Sequence, residues 1–136
     1  MAAQMICLDT SVIINYFRKT NKNKSFLLEL TDHYSEFSVS VITEYEIMVG
    51  AKGSQLIFWE EFFEKVKVLE FGRRVSEEAV HIYHSLRKTR KLIDVADLFI
   101  GATAKCYGLP LATMNLKHFS RIPNLELVST DGINKI

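Results

Sequence analysis

Ile93-Asp94-Val95-Ala96-Asp97-Leu98-Phe99-Ile100-Gly101-Ala102-Thr103-Ala104 is the stretch on which the reading of this chain turns. Two carboxylates three residues apart precede a run of apolar and small residues, the pattern of a helix with an acidic first turn and a buried body. Positions i and i+3 share a helix face, so Asp94 and Asp97 point the same way while Leu98, Ile100 and Ala104 pack inward. A structural explanation is available for Asp94, because Asp is a favoured N-cap and acidic groups suit the positive end of a helix. Asp97 lies inside the turn, where no cap is required, and other acidic residues of the chain are placed where they can converge on it.

Working outward, Gln4 to Leu8 reads as a short buried strand that ends at Asp9-Thr10-Ser11, followed by a helix from Val12 to Arg18. Groups just beyond the carboxyl ends of parallel strands line the functional crevice of α/β sheets, which makes Asp9 a site candidate; Thr10 or Ser11 can cap the helix equally well. A second helix over Ser25–Thr31 forms a hairpin with the first, and Phe37 to Val41 alternates as a strand. The next helix, Ile42 to Gly50, carries Glu44 and Glu46 about 200° apart at 100° per residue, so only one of them faces a given site. Periodicity puts Ile42 and Ile47 on the packed side and does not separate the two glutamates.

Ser54 to Lys65 is an amphipathic helix whose Trp59, Phe62 and Phe63 suit core or dimer packing, and Val66 to Leu69 is a strand. A helix from Ser76 to Thr89 opens on Glu77-Glu78 and closes on Arg87, Lys88 and Arg90, as the helix dipole favours. Its His81 and His84 have no third ligand nearby and read as structural. Beyond the acidic helix, Leu109 to Thr113 is a strand. Asn115 then opens a short helix as either a cap or a site group, Leu125 to Val128 is an edge strand, and Thr130 to Ile136 reads as a tail.

The length of 136 residues, 48% hydrophobic and 24% charged, fits one domain with one core and no membrane span. The first residues lack the basic region of a signal peptide, which points to the cytoplasm. Cys7 and Cys106 have no metal-ligand spacing and read as reduced thiols. A net charge of +1 conceals basic clusters at Arg18-Lys19, Arg73-Arg74 and Arg87 to Lys91.

Four segments taken together carry a resemblance: Leu8-Asp9-Thr10-Ser11; Ile42-Thr43-x-x-Glu46-Ile47-x-x-Gly50; Ala96-Asp97-Leu98-x-Ile100-x-Ala102-x-Ala104; and Ala112-Thr113-x-Asn115-x-x-x-Phe119. In order and spacing they resemble the PIN-domain family, specifically VapC-type toxin ribonucleases. The resemblance implies a single PIN domain over residues 1–136: a three-layer α/β/α sandwich around a short, mainly parallel sheet of four to five strands. It places the family's acids on Asp9, Glu46 and Asp97, and its fourth position, which takes Asp or Asn, on Asn115. With three certain carboxylates, a second metal ion depends on Asp94.

Mg²⁺ prefers oxygen ligands and is typically held by one or two carboxylates with waters and substrate phosphate. Asp9, Asp97 and Glu46 are therefore the expected ligands of Mg²⁺, with Mn²⁺ as substitute. Asn115 and Asp94 complete the expected catalytic set, and Thr10, Ser11 and Thr113 are supporting donors. Arg18, Lys91 and Lys117 lie close enough in sequence to the acids to contact an RNA backbone. The implied activity is endonucleolytic cleavage of RNA phosphodiester bonds, in tRNA or another structured RNA, by a homodimer inhibited by a VapB-type antitoxin. The competing expectation, which Asn115 supports, is a PIN-like module that binds RNA or protein without cutting.

Overall fold

The computed structural model describes residues 4–130, so the expected tail beyond Thr130 lies outside the described residues. Five strands, β1 (Met5–Leu8), β2 (Glu36–Ser40), β3 (Lys67–Leu69), β4 (Leu111–Ala112) and β5 (Leu127–Val128), form one sheet in the order β3-β2-β1-β4-β5. Every neighbouring pair is parallel. Parallel neighbours require crossovers, and seven helices supply them: α1 (Thr10–Arg18), α2 (Phe26–Leu30), α3 (Val41–Gly50), α4 (Ser54–Lys65), α5 (Arg73–Lys88), α6 (Val95–Cys106) and α7 (Leu116–Phe119).

Side chains alternate along β1, and the two halves of the core follow from that alternation. Ile6 and Leu8 join Val12, Ile13, Leu30, Val39, Trp59 and Phe63 on the face covered by α1, α2 and α4. Cys7 joins Leu69, Ile82, Leu86, Leu98, Ile100, Leu111 and Phe119 on the face covered by α5, α6 and α7. The result is the expected α/β/α layering. Trp59 and Phe63 are buried, and Trp59 meets Phe17, Phe58 and Phe62 at centroid distances of 5.0, 4.9 and 5.6 Å, so this aromatic stripe packs within the core.

Some boundaries move. The helix expected from Ser76 begins a turn earlier at Arg73, because its N-cap is Gly72, which has no side chain to signal a start, and two arginines occupy the first turn. The helix expected from Val12 begins at Thr10, which brings Asp9 to its N-cap position. Strands β4 and β5 are shorter than expected, each two residues long. Among the described residues no helix is long and apolar enough to cross a membrane.

The register fixes where the crevice lies. Leu8 is paired with Val39 on one side and Ala112 on the other, so Asp9, Ser40 and Thr113 emerge together at the carboxyl end of the sheet. β1 leads to β2 on one flank while β4 enters from the far flank, and ligand crevices of parallel sheets open at such a switch in strand order. Deeper in the layer, α6 packs so closely on the segment after α7 that a Cβ on Gly101 would collide with the Ile122 side chain.

Candidate active site

Asp9 is only 3% exposed, although it directly follows a strand end. Its Oδ2 accepts hydrogen bonds from Ser11 Oγ at 2.6 Å and Thr113 Oγ1 at 2.9 Å. Burial nevertheless holds the carboxyl above its ordinary range, outweighing both hydroxyls and the nearby amides of Thr10 and Ser11. The same hydroxyls bind the neighbouring turn: Met114 N–H donates to Ser11 Oγ at 3.0 Å, and Asn115 N–H to Thr113 Oγ1 at 2.8 Å. The start of α1 and the turn before α7 are thereby joined through the partners of Asp9.

Asp97 lies in the first turn of α6, half-buried, and its carboxyl is also pushed up. Burial is the largest cause, the Asp9 charge comes next, Asp94 adds to it, and His118 opposes it. The two acids singled out by the sequence are therefore electrostatic neighbours across the crevice. His118 Nδ1 lies 3.4 Å from Asp97 Oδ2 and 2.9 Å from Asn115 Nδ2.

The two glutamates of α3 lie in different places. Glu46 turns toward the start of α1, where its Oε1 accepts from Thr10 Oγ1 at 2.8 Å; Thr10 Oγ1 is also hydrogen-bonded at 2.9 Å to the fully buried Thr43. Glu44 instead lines a groove against α4 with Met48, Glu60, Phe63 and Glu64. Glu46 thus joins the site through the residue next to Asp9. Among the described residues, no three His, Cys, Asp or Glu side chains stand within reach of a single ion position.

Asp9, Asp94 and Asn115 all occupy N-cap positions, and none makes a side-chain capping bond. By contrast, Ser25 and Ser40 cap α2 and α3 through their side chains, and Asn21 caps the 3-10 turn Lys22–Lys24, whereas the glycines before α4 and α5 have no side chain to do so. The cap explanation open to these three residues is therefore not the one the fold uses. Asp94 is exposed and reaches Asp97 by its charge. Thr10, Ser11 and Thr113, expected as supporting donors, all make hydrogen bonds to acidic residues of the site. Arg18 and Lys19 flank a groove running from Ser11 along α1, and Lys91 and Lys117 are exposed. His118 was not singled out by the sequence; its only signal is its place three residues after Asn115 on the same turn of helix.

A short parallel α/β/α sheet with buried acids at the switch of strand order defines a class, and the family model described as PIN domain matches residues 6–125. The chain belongs to the PIN-domain family. Within it, the chain is 31% identical over 132 residues to the protein named Ribonuclease VapC of Rickettsia bellii, covering 91% of this chain and 95% of that one. It is 36% identical over 126 residues to Ribonuclease VapC1 of Methanocaldococcus jannaschii, covering 90% and 84%. The fold is shared with a solved structure of VapBC-1 from nontypeable Haemophilus influenzae, with a TM-score of 0.82 at 24% identity over 93% of this chain and 98% of that one.

Proposed function

We propose that this chain is a divalent-metal-dependent endoribonuclease and the toxin member of a toxin–antitoxin pair. The observation that carries the reading is the pairing of Asp9 with Asp97: burial raises both carboxyls, and the Asp9 charge raises Asp97 further. Two desolvated acids facing each other disfavour their own ionisation, and a cation relieves that cost. The donor set fits a hard ion, since it consists of carboxylate, carboxamide and hydroxyl oxygens without thiolates. Mg²⁺ or Mn²⁺ is the ion of this class for which two carboxylates can serve, because Mg²⁺ commonly completes its shell with waters and substrate phosphates.

Asp9 and Asp97 would hold the ion, with Glu46 as a further ligand through water. Such an ion supplies activation of water and stabilisation of charge on the leaving oxygen of a phosphodiester. Thr10 orients Glu46 for positioning the attacking water, Asn115 presents its carboxamide oxygen to a water of the site, and Asp94 serves as an auxiliary carboxylate. The ribonuclease names of the relatives support RNA as substrate, and the solved VapBC complex supports an antitoxin partner. An apolar groove of about 280 Å³ between the α1–α2 hairpin and α4, lined by Tyr16, Leu27, Phe37, Phe58 and Phe62, offers that partner a surface. Tyr45 and Val49, exposed one turn apart on α3, support a homodimer.

The test is cleavage of a tRNA pool by the purified chain with Mg²⁺ or Mn²⁺ against EDTA, with Asp97→Asn alongside. Metal-dependent cleavage by the wild type, lost in the folded mutant, is expected. Undiminished cleavage by Asp97→Asn overturns the assignment. RNA binding by the wild type without turnover under any condition favours the non-cutting module instead.

A further inference from the structure

Asn115 has an unusual position for a residue so exposed to alternatives. It stands at the N-cap of α7 without capping it, and its carboxamide is held through one contact, Nδ2 to His118 Nδ1 at 2.9 Å. The same Nδ1 is 3.4 Å from Asp97 Oδ2. A single ring nitrogen therefore bridges the crevice groups of two separate elements, α6 and the turn before α7.

Folding alone gives no reason for an imidazole here. The place of α7 is set by Phe119, which is fully buried, and by the bonds of Met114 N–H to Ser11 and Asn115 N–H to Thr113. The His118 side chain itself is 41% exposed, so its ring is not a core element. Nδ1 can accept a hydrogen bond from the Asn115 amide or donate one to Asp97, but it cannot do both, since it bears either a lone pair or a hydrogen. When it accepts from Asn115, the ring proton resides on Nε2, and the carboxamide is fixed with its NH₂ toward the ring and its acceptor oxygen turned away. An Asn amide without such a partner presents its two ends interchangeably.

We infer that His118 is a positioning residue of this site: by accepting at Nδ1 from the Asn115 amide it sets which end of that carboxamide faces the crevice beside Asp97. The inference rests on the nuclease reading for its kinetic consequence and on the geometry alone for its spectroscopic one. Partners that orient a site's ligands matter to function on a known scale, with mutations typically costing about 10- to 100-fold in metal affinity or activity.

The experiment compares His118→Ala, His118→Asn and His118→Gln in the full chain, with urea unfolding of each as the check on folding. An Asn side chain places its amide where Nδ1 stands, and the longer Gln reaches toward Nε2. Cleavage kinetics on tRNA, Mn²⁺ affinity by calorimetry and the ¹H–¹⁵N resonances of the Asn115 carboxamide are read. His118→Ala is expected to lose about 10- to 100-fold in kcat or Mn²⁺ affinity with KM little changed, His118→Asn to recover most of it, and His118→Gln not to. The two Asn115 amide protons are expected to be well separated in the wild type and in His118→Asn, and to collapse toward exposed-Asn positions in His118→Ala.

Wild-type kinetics and metal affinity in His118→Ala, with Asp97→Asn inactive, overturn this inference and leave the nuclease reading standing. Equal rescue by Gln and Asn overturns the assignment to Nδ1. Full activity in Asp97→Asn overturns the nuclease reading instead, and the carboxamide resonances then decide alone: unchanged in His118→Ala, they overturn the positioning role. If His118→Ala fails to fold, the Asn and Gln variants carry the same comparison.

Discussion

Replacing Asp97 by Asn should make the metal-free protein more stable while removing its response to metal. In the native state Asp9 and Asp97 both titrate above the ordinary carboxylate range, Asp9 through burial and Asp97 through burial and the facing Asp9 charge. Between that ordinary range and their raised native values, the folded protein retains protons that the unfolded chain has released, so stability falls as pH rises through the window. Above that window the wild type without metal carries this cost in full. Asp97→Asn removes one of the two contributions and the like charge facing Asp9, and its amide can donate to His118 Nδ1.

A ligand binding only the folded state at 100 times its Kd adds about 2.7 kcal/mol, and an unfolding entropy of about 2.1 cal/mol/K per residue over 136 residues is about 0.29 kcal/mol/K, so the melting point rises by about 9 °C. Differential scanning fluorimetry in EDTA, and then in Mn²⁺ or Mg²⁺, reads both effects. In EDTA the wild type should lose stability more steeply than Asp97→Asn as pH rises above the ordinary carboxylate range and melt below it once both acids are ionised, and it should gain several degrees with metal while the mutant does not. A mutant that melts lower than wild type in EDTA, or that gains as much from metal, refutes the reasoning.

Thr113→Val removes one of the two hydroxyl donors to buried Asp9 and the acceptor of Asn115 N–H; it should cost about 1–3 kcal/mol in urea unfolding and raise the Asp9 carboxyl further. Gly101→Ala drives a methyl into Ile122, with Leu125 and Phe119 at 3.6 and 3.7 Å behind it, and should destabilise by about 1–3 kcal/mol in the same assay. A thiol reagent should label Cys106 rapidly and leave Cys7 untouched until the protein is denatured, because burial pushes the Cys7 thiol up to about 12 and excludes the reagent.

Much of this architecture can be read before any coordinates. The span of α4, Ser54–Lys65, follows from its amphipathic pattern, and β1 from an apolar run that ends at Asp9. The start of α5 could not be read, since Gly72 caps without a side chain and Arg73-Arg74 oppose the dipole preference of a first turn. Periodicity left Glu44 and Glu46 equivalent because each sits beside buried residues; the difference is that Thr10, a residue of another helix, meets only Glu46. For Asp9, Asp94 and Asn115 the sequence offers both a cap and a site group, leaning to the site for Asp9 and to the cap for Asp94, and in the structure all three stand at N-caps without a side-chain capping bond. His118 was invisible for a related reason: a four-residue helix has too little length for periodicity to show which side chain faces inward.

The bonds from Thr113 to Asp9 and from Met114 to Ser11 join positions more than a hundred residues apart. A folding chain in which β1, β2 and β3 have already paired therefore holds Asp9 and Ser11 but lacks the turn that bears Asn115. The crevice closes only when β4 slots in beside β1, so assembly of the site is a long-range step that waits on loop closure across most of the sheet.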